Sequence, residues 1–111
     1  MRLSLALVHS TLHFYSVFLD NPAPPGCPDE LWDRLLARAV ELYSLAAQPV
    51  PVGDDGWLRL RELTRRTQHC LDLLIDADMR APIVQCAWGH LRMVVSHLGA
   101  GLESMSTVLL N

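Results

Sequence analysis

The 111-residue sequence contains no lysine, and charged residues of both signs make up only 19% of it. All nine basic residues are therefore arginines, and against 12 acidic residues they leave a net charge of −3. This balance gives the protein as a whole no electrostatic attraction to nucleic acid or to an anionic membrane. We therefore expect that it contacts neither nucleic acids nor membranes directly.

The sequence also lacks the motifs that most often carry chemistry in small proteins. Its three cysteines, Cys27, Cys70 and Cys86, form no Cys-x-x-Cys pair and are too widely spaced for a disulfide framework or a zinc site. There is no glycine-rich phosphate loop, and no two carboxylates share an apolar setting. We therefore predict no catalytic residue, no cofactor and no metal, and thiols that stay reduced in the cytoplasm.

Apolar residues, in contrast, are abundant. Half of the sequence is hydrophobic and the mean hydropathy is +0.20. A chain of this length buries only about two thirds of its extended surface, so part of the apolar surplus stays exposed or is covered by a partner. We therefore expect a protein that binds other proteins, including a second copy of itself, and not an enzyme.

Apolar residues recur at helical spacing in four segments, which proline- and aspartate-rich stretches separate. We predict helices near 3–19, 28–47, 56–76 and 82–108. Helices of this length with short connections form bundles, so we predict an all-α, antiparallel four-helix bundle that spans residues 1–111 as a single domain. The apolar surplus predicts that this bundle is dimeric.

The first segment is apolar on nearly every side and begins after a single arginine, as signal peptides do. His9 and His13 interrupt the apolar run, and no small-x-small cleavage site follows it. The run is also short for a membrane span. We therefore expect a buried helix, because a helix that is hydrophobic all round lies in a core.

The fourth segment carries the longest and widest apolar stripe, and three glycines within it would let another helix approach closely. Tryptophan and other large apolar side chains are frequent at the centres of protein interfaces. We therefore predict a dimer or partner interface on this helix, formed by Trp88, Leu91, Val95, Leu98, Leu102, Met105 and Leu109.

The third segment holds the one basic cluster of the sequence, in which Arg59, Arg61, Arg65 and Arg66 surround Glu62. Three interpretations are open. The cluster is a solvated helix face with Glu62–Arg66 pairing, a patch for an acidic partner protein, or the phosphate-binding surface of a small DNA-binding repressor.

Histidines occur at helical spacing on two segments. His9 and His13 are four residues apart, and His90 and His97 are two turns apart. Two such helices facing each other could hold a metal, which leaves a helical-bundle metal-binding protein as an alternative. We favour the interpretation that these histidines are polar groups at helix contacts, each satisfied by one hydrogen bond. Cys86 lies four residues before His90, and its apolar helix predicts a buried, unreactive thiol.

Several short stretches carry a resemblance to a known family. They are Pro24-Pro25, Asp29-Glu30-Leu31, Ala39-x-Glu41-Leu42, His90-Leu91-Arg92-Met93 and the run from Met105 to Leu110, and the resemblance extends over about half of the chain. In this layout the chain resembles the small all-helical anti-activators of LuxR-type quorum-sensing regulators, of the QslA and TraM type. The segment 3–19 and the arginine-bearing third segment have no counterpart in the two-helix TraM pattern.

The resemblance implies a cytoplasmic homodimer without catalysis. Such a protein binds a transcription activator and blocks its dimerisation or its DNA binding.

Overall fold

The structure is a computed structural model that describes residues 5–51, 53, 56–75 and 80–110, and for 102–110 the helical backbone alone. Within these residues it contains four helices and no strand, which confirms the predicted all-α fold. The helices are α1 (Leu5–Leu19), α2 (Asp29–Ala47), α3 (Trp57–Ile75) and α4 (Pro82–Leu110).

The observed helix ends lie within two residues of the predicted ones because prolines and acidic residues mark them locally. Pro28 occupies the position before α2 with extended backbone angles, and Asp29 and Glu30 follow in the first turn, where carboxylates favour the helix dipole. Pro82 is the first residue of α4, a position where its missing N–H costs no hydrogen bond.

The four helices form an antiparallel bundle in which α1 and α3 each pack against α2 and α4. Neighbouring ends show the direction of each pair. The Phe18 and Trp32 rings, near the end of α1 and the start of α2, have centroids 4.7 Å apart. Arg59, near the start of α3, donates a hydrogen bond to the carbonyl of Gln48, which follows α2. The described part of the chain gives no contact between the diagonal pairs, α1 with α3 and α2 with α4.

The core is apolar and receives side chains from all four helices. Among the described residues, no buried polar side-chain atom lacks a hydrogen-bond partner. Thr11 and Thr67, which are buried, donate their hydroxyl protons to the carbonyls of Val8 and Leu63 in the preceding helical turn. The largest fully buried apolar side chains are Leu7, Phe14, Leu35, Leu42, Leu60, Leu63, Leu74, Val84, Leu91 and Val94.

The position of α1 at a corner of the bundle corrects one prediction. Six of its residues are buried, as expected, but its outer face is open to water. A corner helix contacts two neighbours, and those contacts cover only part of its circumference. Among the described residues, no helix combines the length and the hydropathy that a membrane span requires.

Candidate protein-binding surfaces

The predicted α4 interface is wrong at two of its residues. Leu91 and Leu98 are 0% and 3% exposed because the other helices of the same chain cover them, so a second protein cannot reach them without opening the bundle. Trp88 is half-buried and packs against the same core. Val95 is 43% exposed and remains available to a partner. Leu102, Met105 and Leu109 lie outside the residues whose side chains the structure describes.

The glycines of α4 do not mark a close helix contact within the chain. A Cβ atom at Gly89 or Gly99 would meet nothing within 4 Å. At Gly101 it would lie 3.5 Å from a methyl carbon of Leu60, an ordinary van der Waals distance. The small residues therefore leave open surface on α4, and the fold itself does not require them.

The exposed apolar surface that the sequence analysis missed lies on α1. Leu5, Leu12 and Leu19 are 69%, 39% and 54% exposed, and we call these three residues the α1 leucine stripe. They are seven residues apart, so they follow one side of the helix. The helix contains no Asp, Glu, Lys or Arg. A signal existed in the sequence, since a helix that is apolar on every side keeps an apolar face wherever it lacks a neighbour.

Arg59 supports the fold through its contacts with the end of α2. Its guanidinium group donates hydrogen bonds to the carbonyls of Leu45, Gln48 and Pro49 at the carboxyl end of α2. These carbonyls have no hydrogen-bond donor within α2. A cation at the carboxyl end of a helix also interacts favourably with the helix dipole. The contact fixes the end of α2 against the start of α3.

Arg65 and Arg66 form a network with Glu62 and Glu41, which Arg38 of α2 joins. Arg66 donates to Glu62 at 2.9 Å and, across to α2, to Glu41 at 3.1 Å. Arg65 also binds Glu62, and Arg38 binds Glu41 at 2.8 Å. Hydrogen bonds from Arg65 and then Arg66 lower the pKa of Glu62 to about 2, so this carboxylate is ionised at any physiological pH. The predicted Glu62–Arg66 pairing is present.

Arg61 differs from its three neighbours. It is exposed, and it makes no hydrogen bond or ion pair within the part of the chain that the structure describes. An open groove of about 780 Å³ runs along the first turns of α3 beside it, and we call it the α3 groove. The described residues that line it are Trp57, Leu58, Arg61, Glu62, Thr64 and Arg65. Leu58 is 69% exposed there, so the groove combines an apolar wall with cations.

The predicted histidine pairs do not form a metal site among the described residues, where no three potential ligands converge. The structure instead joins one histidine from each pair. His13 and His90 stack across the contact between α1 and α4 with ring centroids 5.4 Å apart. Stacked rings direct their faces, and not their nitrogen lone pairs, at each other. Burial, and then the neighbouring His13, lower the pKa of His90.

The three cysteines are free thiols in different environments. Cys86 is exposed, which contradicts its predicted burial: it lies on the outer side of α4, away from the core stripe. Cys27 and Cys70 are buried. Burial raises the pKa of the Cys70 thiol to about 12, so it is protonated and unreactive at neutral pH.

Comparison with known proteins gives one distant relationship. The chain is 29% identical over 92 residues to the ribosomal RNA small subunit methyltransferase G of Brucella ovis. This match covers 77% of the chain and 43% of the methyltransferase, so the chain spans less than half the length of that relative. No family model and no solved structure matches the chain.

Proposed function

We propose that this protein is a regulatory binding module that acts by association, with a second copy of itself and with another protein. The observation that carries the proposal is the α1 leucine stripe, three exposed leucines on one side of a helix that contains no Asp, Glu, Lys or Arg. Exposed leucines aligned on one side of a helix provide apolar surface that a partner protein can cover. The free thiols are consistent with a cytoplasmic location.

The spacing of the α1 leucine stripe suits self-association. Leu5 and Leu19 lie seven residues before and after Leu12, so the stripe is symmetric about its central residue. A two-fold axis through Leu12 pairs Leu5 with Leu19 of the partner subunit in an antiparallel helix contact, and two-fold contacts are the commonest in homodimers. Because α1 contains no Asp, Glu, Lys or Arg, no carboxylate or guanidinium group of this helix is desolvated when the two copies meet.

A transcription activator of the LuxR type is the other protein that we propose as a partner. The proposal rests on the resemblance to the QslA and TraM type of anti-activator. The protein then holds the activator in a complex that cannot dimerise or bind DNA. This role needs no chemical reaction. It is consistent with the part of the surface that the structure describes, which presents grooves and apolar side chains.

Light scattering after size exclusion tests the dimer. We expect twice the mass of the chain at micromolar concentration, and the mass of one chain for Leu12→Glu, whose helix content should stay unchanged because Leu12 is 39% exposed. The matched control is Leu58→Glu, which changes an exposed leucine on α3. This variant should remain dimeric. A wild-type monomer, or a Leu12→Glu dimer, would contradict the proposed contact.

A cysteine at the proposed two-fold axis gives an independent measurement. In a Cys86→Ser background, which removes the exposed thiol, Leu12→Cys should form an intermolecular disulfide under mild oxidation. Val40→Cys, also at an exposed apolar position, should not. Equal cross-linking of the two variants would indicate collision and not a defined dimer.

A reporter gene controlled by a LuxR-type activator tests the regulatory role. Co-expression of the protein should lower reporter output, and the activator should co-purify with it. Unchanged output, together with no complex between the purified proteins, would rule out this partner while leaving the dimer intact.

The similarity to the methyltransferase favours a second candidate, a role at small-subunit ribosomal RNA. Of the four clustered arginines, Arg59, Arg65 and Arg66 bind groups within the described part of the chain, which leaves Arg61 as the cation of the cluster most accessible to a phosphate. Binding of a small-subunit rRNA fragment at low salt, measured by fluorescence anisotropy, decides this point. Tight binding that weakens steeply with salt would favour the RNA role.

A further inference from the structure

Arg61 and Leu58 form an exposed pair that the fold does not explain. Leu58 is 69% exposed, and Arg61 follows it by three residues, so the two side chains lie on the same side of α3. Arg59 is accounted for by the carbonyls at the end of α2, and Arg66 by its contact with Glu41. Within the described residues, Arg61 has no such role.

Arg65 adds a second cation to the same groove. It lies four residues after Arg61 and binds Glu62, yet 58% of its side chain remains exposed. Glu62 is shared between Arg65 and Arg66, so its charge is already balanced by contacts within the chain. The described lining of the α3 groove therefore holds two arginines against one glutamate, beside an apolar wall formed by Trp57 and Leu58.

We propose that the α3 groove binds an acidic amphipathic helix of a partner protein. Carboxylates of that helix pair with Arg61 and Arg65, and a large apolar side chain on its adjacent turn packs against Leu58 and Trp57. Arginine binds carboxylates through paired hydrogen bonds, and helices present apolar anchors and charges three and four residues apart. This inference rests on the proposed function in one respect, namely that the chain acts by binding another protein.

The chemistry of the groove favours a protein segment over a nucleic acid. A nucleic-acid surface neutralises many phosphates, and the groove offers two exposed arginines on a chain of net charge −3. An exposed leucine gains nothing from a phosphate, whereas an apolar side chain removes it from water.

A synthetic helical peptide with leucines at every third or fourth position and glutamates between them is the probe. We expect anisotropy to show binding that weakens with salt, and at least tenfold weaker binding for Arg61→Gln and for Leu58→Ser. Arg34→Gln is the matched control, because Arg34 is an exposed arginine of α2 beside a separate cleft between α2 and α3. This variant should bind the peptide as the wild type does.

Peptide variants separate the two parts of the proposal. Replacement of the glutamates by glutamine, or of the leucines by serine, should each abolish most of the binding. Equal binding of the glutamine peptide, or unchanged binding by Arg61→Gln, would overturn the proposal. Tighter Arg61-dependent binding of duplex DNA or of an rRNA fragment than of the peptide would also overturn it.

Peptide binding by the α3 groove does not depend on dimerisation of the chain. Arg61 and Leu58 lie on α3, away from the α1 leucine stripe, so light scattering on the same variants should still give the dimer mass. If the wild type does not bind the peptide but is dimeric and lowers reporter output, the proposed groove alone is overturned. If the wild type binds the peptide but is monomeric and leaves reporter output unchanged, the proposed function alone is overturned.

Discussion

His13 and His90 stack across the contact between α1 and α4, with ring centroids 5.4 Å apart and ring planes 16° from parallel. Burial and the proximity of His13 lower the pKa of His90 below its ordinary value of 6.5. The unfolded chain therefore binds more protons than the folded chain between pH 6.5 and the lowered value. The free energy of unfolding should fall as pH drops through this window, and urea denaturation from pH 8 to pH 5 measures it.

A variant without a titratable side chain at position 90 tests whether His90 causes this pH dependence. His90→Phe retains a stacked ring and removes the proton, so it should flatten this part of the pH dependence. His69→Gln, at an exposed position on α3, should keep the wild-type slope. If His90→Phe has the same slope as the wild type, other groups cause the acid sensitivity.

Substitution of Leu91 tests whether this residue belongs to the core of one chain or to an interface between two chains. Its side chain is fully buried within one chain, so Leu91→Ala should lower the free energy of unfolding by about 2–5 kcal/mol through lost burial and a residual cavity. Val95→Ala, one turn later and 43% exposed, should change it by less than about 0.5 kcal/mol. Thermal denaturation of the two variants measures both effects. A stable Leu91→Ala monomer would mean that Leu91 belongs to an interface after all.

The helix positions could be predicted from the sequence because their signals are local. Pro28, Pro82 and the acidic residues after Pro28 act within one turn of the residues that they affect. Leu91 and Leu98 show where this reasoning stops. Periodicity shows that both side chains lie on the apolar side of α4, but it does not show which helix covers that side. The structure shows that the helices of the same chain do so.

The role of Arg59 could not be predicted for a similar reason. Four arginines within eight residues look equivalent in the sequence, and their roles diverge only once α2 ends beside the start of α3. That arrangement depends on the connection between the helices and on how they pack. The exposed face of α1 likewise depends on its corner position, which hydrophobicity alone does not specify.

Arg59 and Arg61 should respond differently to the same substitution. Arg59→Ala removes the hydrogen bonds to the carbonyls that end α2 and should lower the free energy of unfolding by about 1 kcal/mol. Arg61→Ala removes no contact within the described residues and should leave stability unchanged within about 0.5 kcal/mol. Urea denaturation of both variants measures the difference. Equal destabilisation would mean that Arg61 also supports the fold.

The three thiols should report local stability through their reactivity. Cys86 is exposed, so an aromatic disulfide reagent at pH 8 should modify one thiol per chain rapidly. Cys70 is buried with a pKa of about 12, and Cys27 is buried with a raised pKa, so both should react only after the chain opens. Cys86→Ser should therefore abolish the rapid phase and leave two slow thiols, whose rates should increase together with urea. A rapid reaction at Cys70 in the native state would contradict the packing of α3 against its neighbours, since that thiol is 0% exposed.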